Sequence, residues 1–230
     1  MAINSPAVPT GRKLPPLVAG DRLSRFEFER RYRAMPDLKK AELVEGVVYM
    51  PSPVSATHAN SHGQVVTWLG VYSARTPGVH LGDNATVRLD LDNEVQPDAF
   101  LRIGEAHGGH SRVSGDGFID GAPELVVEVA LSSAAYDLHD KLRAYRRSGV
   151  GEYIVLQLQE RRLDWFRLEE GEYKHLSADA AGLIRRRVFP GLQLDAQALL
   201  AGDLAAVLAA QQAGVQSTTH GDFAAQLAGA

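Results

Sequence analysis

Between residues 23 and 35, apolar and aromatic side chains (Phe26, Phe28, Tyr32, Met35) recur at a loose helical period and stop at Pro36, which predicts a first helix. The β-branched-rich run AELVEGVVYM, 41–50, predicts a strand ending at Pro51-Ser52-Pro53. Over 58–73, Val65, Val66, Leu69 and Tyr72 fall near a helical period and predict a second helix. Two alternating runs, VRLDLDN and PDAFLRI, occupy 87–103 around polar Asn93 and Glu94, and predict a hairpin or a bent strand. A Gly-, His- and Ser-containing loop follows over 104–117. The segment ELVVEVAL, 124–131, is almost continuously apolar, as a central strand covered on both faces must be. A helix over 134–147 ends at Gly149, EYIVLQLQ, RRLDWFRL and EYKHL predict three strands, and a Leu/Ala-rich helix is expected over 195–211. This order predicts an α/β chain of the α+β kind, with a mixed sheet flanked by helices. There is no internal repeat.

The 230 residues, 45% hydrophobic, can bury one sizeable core. The Pro-rich stretch 1–18 and the Gly-, Ser-, Thr- and Ala-containing stretch 212–230 are expected to be flexible ends around a single domain, 19–211. A net charge of −4, from 24 Lys and Arg against 28 Asp and Glu, argues against a uniformly cationic surface, so any nucleic-acid contact must be local. The absence of cysteine excludes disulfides, thiol nucleophiles and Cys-ligated metals, and leaves Asp, Glu, His and Lys to carry chemistry. No apolar run approaches the roughly 20 residues that span a bilayer, and the start of the chain lacks a signal-peptide core, so a soluble cytoplasmic protein is expected. Phosphate-binding, dinucleotide and nucleophile-elbow motifs are missing.

Glu128 stands out because it sits in the least polar strand of the chain, where an unpaired carboxylate would cost several kcal/mol. Alternation puts Leu125, Val127 and Val129 on one face and Val126, Glu128 and Ala130 on the other, so its partners belong to a single covering layer. One reading is an ion pair with an arginine. The other pairs Glu128 with Asp98, after Pro97 at a strand entry, in an oxygen site for a hard cation such as Mg²⁺. On the helix that follows, Leu138, Leu142 and Tyr145 form one stripe with Lys141 at its edge, although Asp137 could also hold Lys141 in an ordinary i, i+4 pair. His58 and His62 have helical metal-ligand spacing but no third ligand, and read as surface or helix-start residues. His107 and His110 read as loop residues.

The separated motifs Pro97-Asp98, ELVVEV (124–129), SSAAYDLHDKLRAY (132–145) and GVGEY (149–153), with AELVEG (41–46) and MPSPVSATH (50–58), together resemble the Uma-type putative restriction endonuclease family of bacterial proteins. That family is assigned to the PD-(D/E)XK nuclease superfamily, and the resemblance spans roughly 23–200. It implies a restriction-endonuclease-like core, with Asp98 and Glu128 as metal-binding acids, Lys141 as the active-site lysine and Glu42 as a supporting acid. The superfamily's lysine two residues after Glu128 is Ala130 here, so a lysine would have to migrate from the helix, where Lys141 is suitably placed. The family's usual proline after the strand serine is Ser133, and Glu45 remains an alternative to Glu42. The implied function is Mg²⁺-dependent hydrolysis of DNA phosphodiester bonds, with Mn²⁺ as a substitute ion, DNA as partner, no membrane and room for a homodimer. The alternatives are a noncatalytic nucleic-acid- or protein-binding module that retains the fold, and a hydrolase of another phosphoester.

Overall fold

The computed structural model describes residues 14–50, 54–185 and 188–229. The first half comprises α1 (Arg25–Arg33), β1 (Glu42–Val44), β2 (Val47–Tyr49), α2 (Ala56–Ser73), β3 (Val79–Asp83), β4 (Val87–Arg88), β5 (Glu94–Val95) and β6 (Ala99–Ile103). After a 3-10 turn (Glu105–His107) come β7 (Arg112–Val113), β8 (Ile119–Asp120) and β9 (Leu125–Ala130). One continuous helical stretch is then built from α3 (Ala134–Tyr136), a π-helical turn (Asp137–Lys141) and α4 (Leu142–Ser148). The remainder is β10 (Glu152–Gln157), β11 (Arg162–Glu169), β12 (Glu172–His175), β13 (Leu183–Arg185), β14 (Gln193–Asp195), α5 (Ala196–Ala201), α6 (Leu204–Val215) and α7 (Thr218–Ala228).

The larger mixed sheet has the order β12-β11-β10-β9-β6-β3, and only β9 and β10 run parallel in it. Those two are the strands joined through the α3–α4 helix, as a parallel pair requires. Every residue of β9 is buried, which explains its continuous apolarity. The expected alternation holds: Leu125, Val127 and Val129 pack with Trp68, Leu69 and Tyr72 of α2 and with the C-terminal helices, whereas Val126 and Ala130 face Ala144 and Tyr145 of α4.

A second sheet of very short strands, β2-β1-β5-β4-β8-β7, lies beyond that second core. It corrects two expectations. The strand over 41–50 is a hairpin, because Glu45 and Gly46 both take positive φ (50° and 73°) and turn the chain between β1 and β2. The runs 87–93 and 97–103 do not pair with each other: β4 pairs with β5 between them, and the chain then leaves that sheet at Gln96-Pro97-Asp98 and enters the larger one as β6.

The chain ends also differ from expectation. Of the segment 1–18, only 14–18 lie among the described residues, and there Leu17 is buried with Phe28, Leu43 and Val48. The stretch 212–230, expected as a flexible tail, is helical over α7. Leu227 belongs to the main core, and His220 lies 3.0 Å from the Thr76 hydroxyl. The helix expected over 195–211 is broken at Gly202-Asp203, where the Asp203 side chain caps α6.

Candidate active site

The antiparallel register of β6 on β9 pairs Ala99 with Val127. Continued by one position, it sets Asp98 opposite Glu128 on the same sheet face, the layer that α3–α4 covers. Asp98 is anchored at the strand entry by Oδ2, which accepts the Val129 N–H at 2.7 Å, while Oδ1 faces His58 Nε2 at 3.7 Å and Lys40 Nζ at 3.9 Å. Burial would raise its pKa, but His58, Lys40, the Val129 amide and Lys141 together hold it below the ordinary Asp value.

Glu128 meets Lys141 directly. Its Oε1 accepts from Lys141 Nζ at 2.9 Å and from the Tyr145 hydroxyl at 2.8 Å, while Oε2 takes no hydrogen bond from the described residues. Lys141 Nζ also contacts both carboxylate oxygens of Glu42 at 3.0 Å and lies 3.9 Å from Asp137 Oδ1. The i, i+4 spacing of Lys141 and Tyr145 sends both side chains to one carboxylate. Burial pushes the Glu128 carboxyl up to about 8, and Asp98, Asp137 and Glu42 add to that against the pull of Lys141. For Lys141, burial acts downward, but Glu128, Glu42 and Asp137 outweigh it and hold the ammonium protonated. Asp137 is raised by burial, with Glu42 and Asp98 adding to the effect.

Three carboxylates, on Glu42, Glu128 and Asp137, therefore lie within 4 Å of one buried ammonium, with Asp98 opposite Glu128 as a fourth buried acid, and all five residues are 3–7% exposed. Glu42 is fixed from the second sheet, since its Oε1 accepts the Gln96 N–H at 2.7 Å. Glu45 instead sits in the positive-φ turn and pairs with Arg143 and Arg147, so Glu42 is the acid brought to Lys141. Among the described residues no three His, Asp or Glu side chains gather into a metal-ligand set. The donors the site does offer are two facing carboxylates with spare oxygens, which suits an ion that takes one or two carboxylates and completes its shell with water and phosphate.

Sequence reasoning missed several residues here. His58 and His62 lie beside Asp98 rather than on a free surface: His62 Nε2 is 2.8 Å from the Asp98 carbonyl and 3.1 Å from Asp83 Oδ1. Their spacing was visible, but their target was not. Lys40 had no motif to mark it. Tyr136 packs its ring on Tyr49, centroids 4.0 Å apart, and lies under Lys141, yet its buried hydroxyl has no hydrogen-bond partner among the described residues. His107 and His110 lie elsewhere, on the loop tied to Glu124, whose oxygens accept the Ile103 and His110 amides at 2.7 and 2.8 Å.

A putative nuclease belonging to DUF820 from Anabaena variabilis superposes with a TM-score of 0.58 at 14% identity, over 74% of this chain and 97% of that one, a likeness of fold. No curated protein sequence matches. The model of the Uma2 family, described as putative restriction endonuclease, matches residues 27–197, most of the chain, and the protein therefore belongs to the Uma2 family.

Proposed function

We propose that the protein is a metal-dependent endonuclease that hydrolyses DNA phosphodiester bonds. The observation that carries this reading is the surplus of acid at the site, four buried carboxylates to one buried ammonium. Such a surplus is costly for a structural ion pair and suits a site completed by a divalent cation. Asp98 and Glu128 would hold Mg²⁺, or Mn²⁺ in its place, which when bound would polarise the scissile phosphate and lower the pKa of water. Lys141, kept protonated by its carboxylates, acts as a hydrogen-bond donor that orients water and stabilises charge developing on phosphate, and not as the proton acceptor. Glu42 is the supporting acid that fixes the Lys141 ammonium, and Tyr145 keeps the Glu128 carboxylate oriented. The migrated lysine thus stands, through the helix, where Ala130 leaves the strand without one.

A specific observation favours the second reading, a noncatalytic module that keeps the fold: Lys141 and its acids are enclosed, with no more than 7% exposure. Metal-dependent cleavage of single- and double-stranded DNA at low salt separates the two, with Glu128→Gln as the blank for contaminating nuclease. Cleavage well above that blank supports the endonuclease. Wild-type cleavage no greater than the blank on every substrate would favour the binding module.

A further inference from the structure

Beside the acid cluster lies a cavity of about 430 Å³ between α1, with the segment after it, and the small sheet. Its volume is that of an ordinary small-ligand pocket. Tyr32, Met35, Leu38 and Phe118 give it apolar and aromatic walls, and Glu94 and Gln96 give it polar ones. Two connections lead from it to the candidate active site. Gln96 lines the cavity while its backbone N–H holds Glu42, and Lys39 lines it while the next residue, Lys40, faces Asp98.

Glu94 is the unexplained member. It is 4% exposed, and its Oε2 accepts no hydrogen bond from the described residues. The nearest cation does not serve it. Arg88 Nε approaches Oε2 only to 3.7 Å and lies nearer Glu29, at 3.1 Å, while the two terminal nitrogens of the guanidinium are committed to Asp116 at 3.0 and 2.7 Å. Glu29 lines the same cavity, and Oε2 of Glu94 is an idle acceptor on its wall. A buried acceptor with no donor costs free energy unless a ligand supplies one.

We propose that this cavity is a nucleobase subsite, in which an unstacked base lies against the Tyr32 and Phe118 wall and gives an amino N–H to Glu94 Oε2. The inference rests on the nuclease reading of the neighbouring site. A planar ring explains the aromatic wall, an amino edge satisfies Glu94, and Lys39 with Arg33 at the rim supplies cations for the attached phosphate. A free amine would satisfy Glu94 but would gain nothing from the aromatic wall and would be opposed by those cations. Adenine, cytosine and guanine offer an amino group, whereas the single ring N–H of thymine is flanked by two carbonyls that face an acceptor oxygen unfavourably. The subsite therefore selects amino-bearing bases next to the cleaved bond.

Binding of labelled single-stranded oligo(dA), oligo(dC) and oligo(dT) to the full chain carrying Glu128→Gln, followed by fluorescence anisotropy, tests this. Oligo(dA) and oligo(dC) should bind at least about threefold more tightly than oligo(dT), and Glu94→Leu, which removes the acceptor that a glutamine would keep, should erase that preference. Phe118→Ala, at a half-buried wall position, should weaken all three about tenfold and guards against a Glu94 variant that fails to fold. Equal binding of all three oligonucleotides, or unchanged binding by both folded variants, would overturn the subsite. Failure of the nuclease reading would look different: the base preference would be present, but protein with Glu128 intact would show no metal-dependent cleavage.

Discussion

Burial raises the carboxyls of both Glu94 and Glu128 to about 8, but the donors around them differ. Glu128 is met by Lys141 and Tyr145, so removing the lysine strands its acids. Lys141→Ala should destabilise the fold by about 3–5 kcal/mol, the cost of an uncompensated buried charge, where a solvated i, i+4 pair with Asp137 would lose less than about 0.5 kcal/mol. Urea denaturation of the two proteins measures it. Glu94 accepts no hydrogen bond at Oε2 from the described residues, and burial with Glu29 beside it, against the pull of Arg88, raises its pKa from 4.5 to about 8. The folded state therefore binds the proton more tightly than the unfolded state. This contribution is complete below the unfolded value, declines as pH rises from about 4.5 and is gone above about 8. The melting temperature of the wild type should fall over that interval, and Glu94→Gln, which mimics the protonated group, should show a shallower slope. A parallel pair of pH profiles would refute the assignment.

At the scale of elements, what could be read beforehand follows from segment length. β9 through β12 are 4–8 residues long, enough to display continuous apolarity or alternation, and α2 shows its helical period over 18 residues. The small sheet is built from strands of two or three residues, too short to show any period, and the β1–β2 turn hides among β-branched neighbours. β3 went unnoticed because His80 and Gly82 interrupt its apolar pattern. α5 and most of α6 fall within the helix expected over 195–211, whereas α7 was hidden by composition, since its Thr, Gly and Ala positions bury little besides His220 and Leu227. Those positions matter nonetheless. Truncation after Gln216 should remove Leu227 from the main core and His220 from Tyr72 and Thr76. The expected cost is about 2 kcal/mol or more, seen as a melting temperature several degrees lower. A dispensable tail would leave it unchanged.

Across the whole molecule, the site exists only where separate layers meet: Glu42 comes from the small sheet, Asp98 and Glu128 from the large one, and Lys141 from the π-helical turn. Glu128 was legible because a single carboxylate in an apolar strand needs an explanation, and Asp98 and Lys141 followed from motif order and helix geometry. Glu42 could be separated from Glu45 only by the hairpin turn, and the contacts of His58, His62 and Lys40 are long-range facts that no local spacing encodes. An ion held by residues so distant in sequence binds the folded chain and not the unfolded one, so it should stabilise by mass action. At a Mg²⁺ concentration about 100 times its Kd the gain is about 2.7 kcal/mol, which for a chain of this size raises the melting temperature by roughly 5–10 °C. Mn²⁺ should do the same, and Na⁺ at equal ionic strength should not. Asp98→Asn keeps a carbonyl oxygen able to accept the Val129 N–H, so the fold should survive while the Mg²⁺ shift disappears. A shift of equal size in Asp98→Asn would place the ion elsewhere in the molecule, and the assignment of Asp98 and Glu128 as its ligands would fall with it.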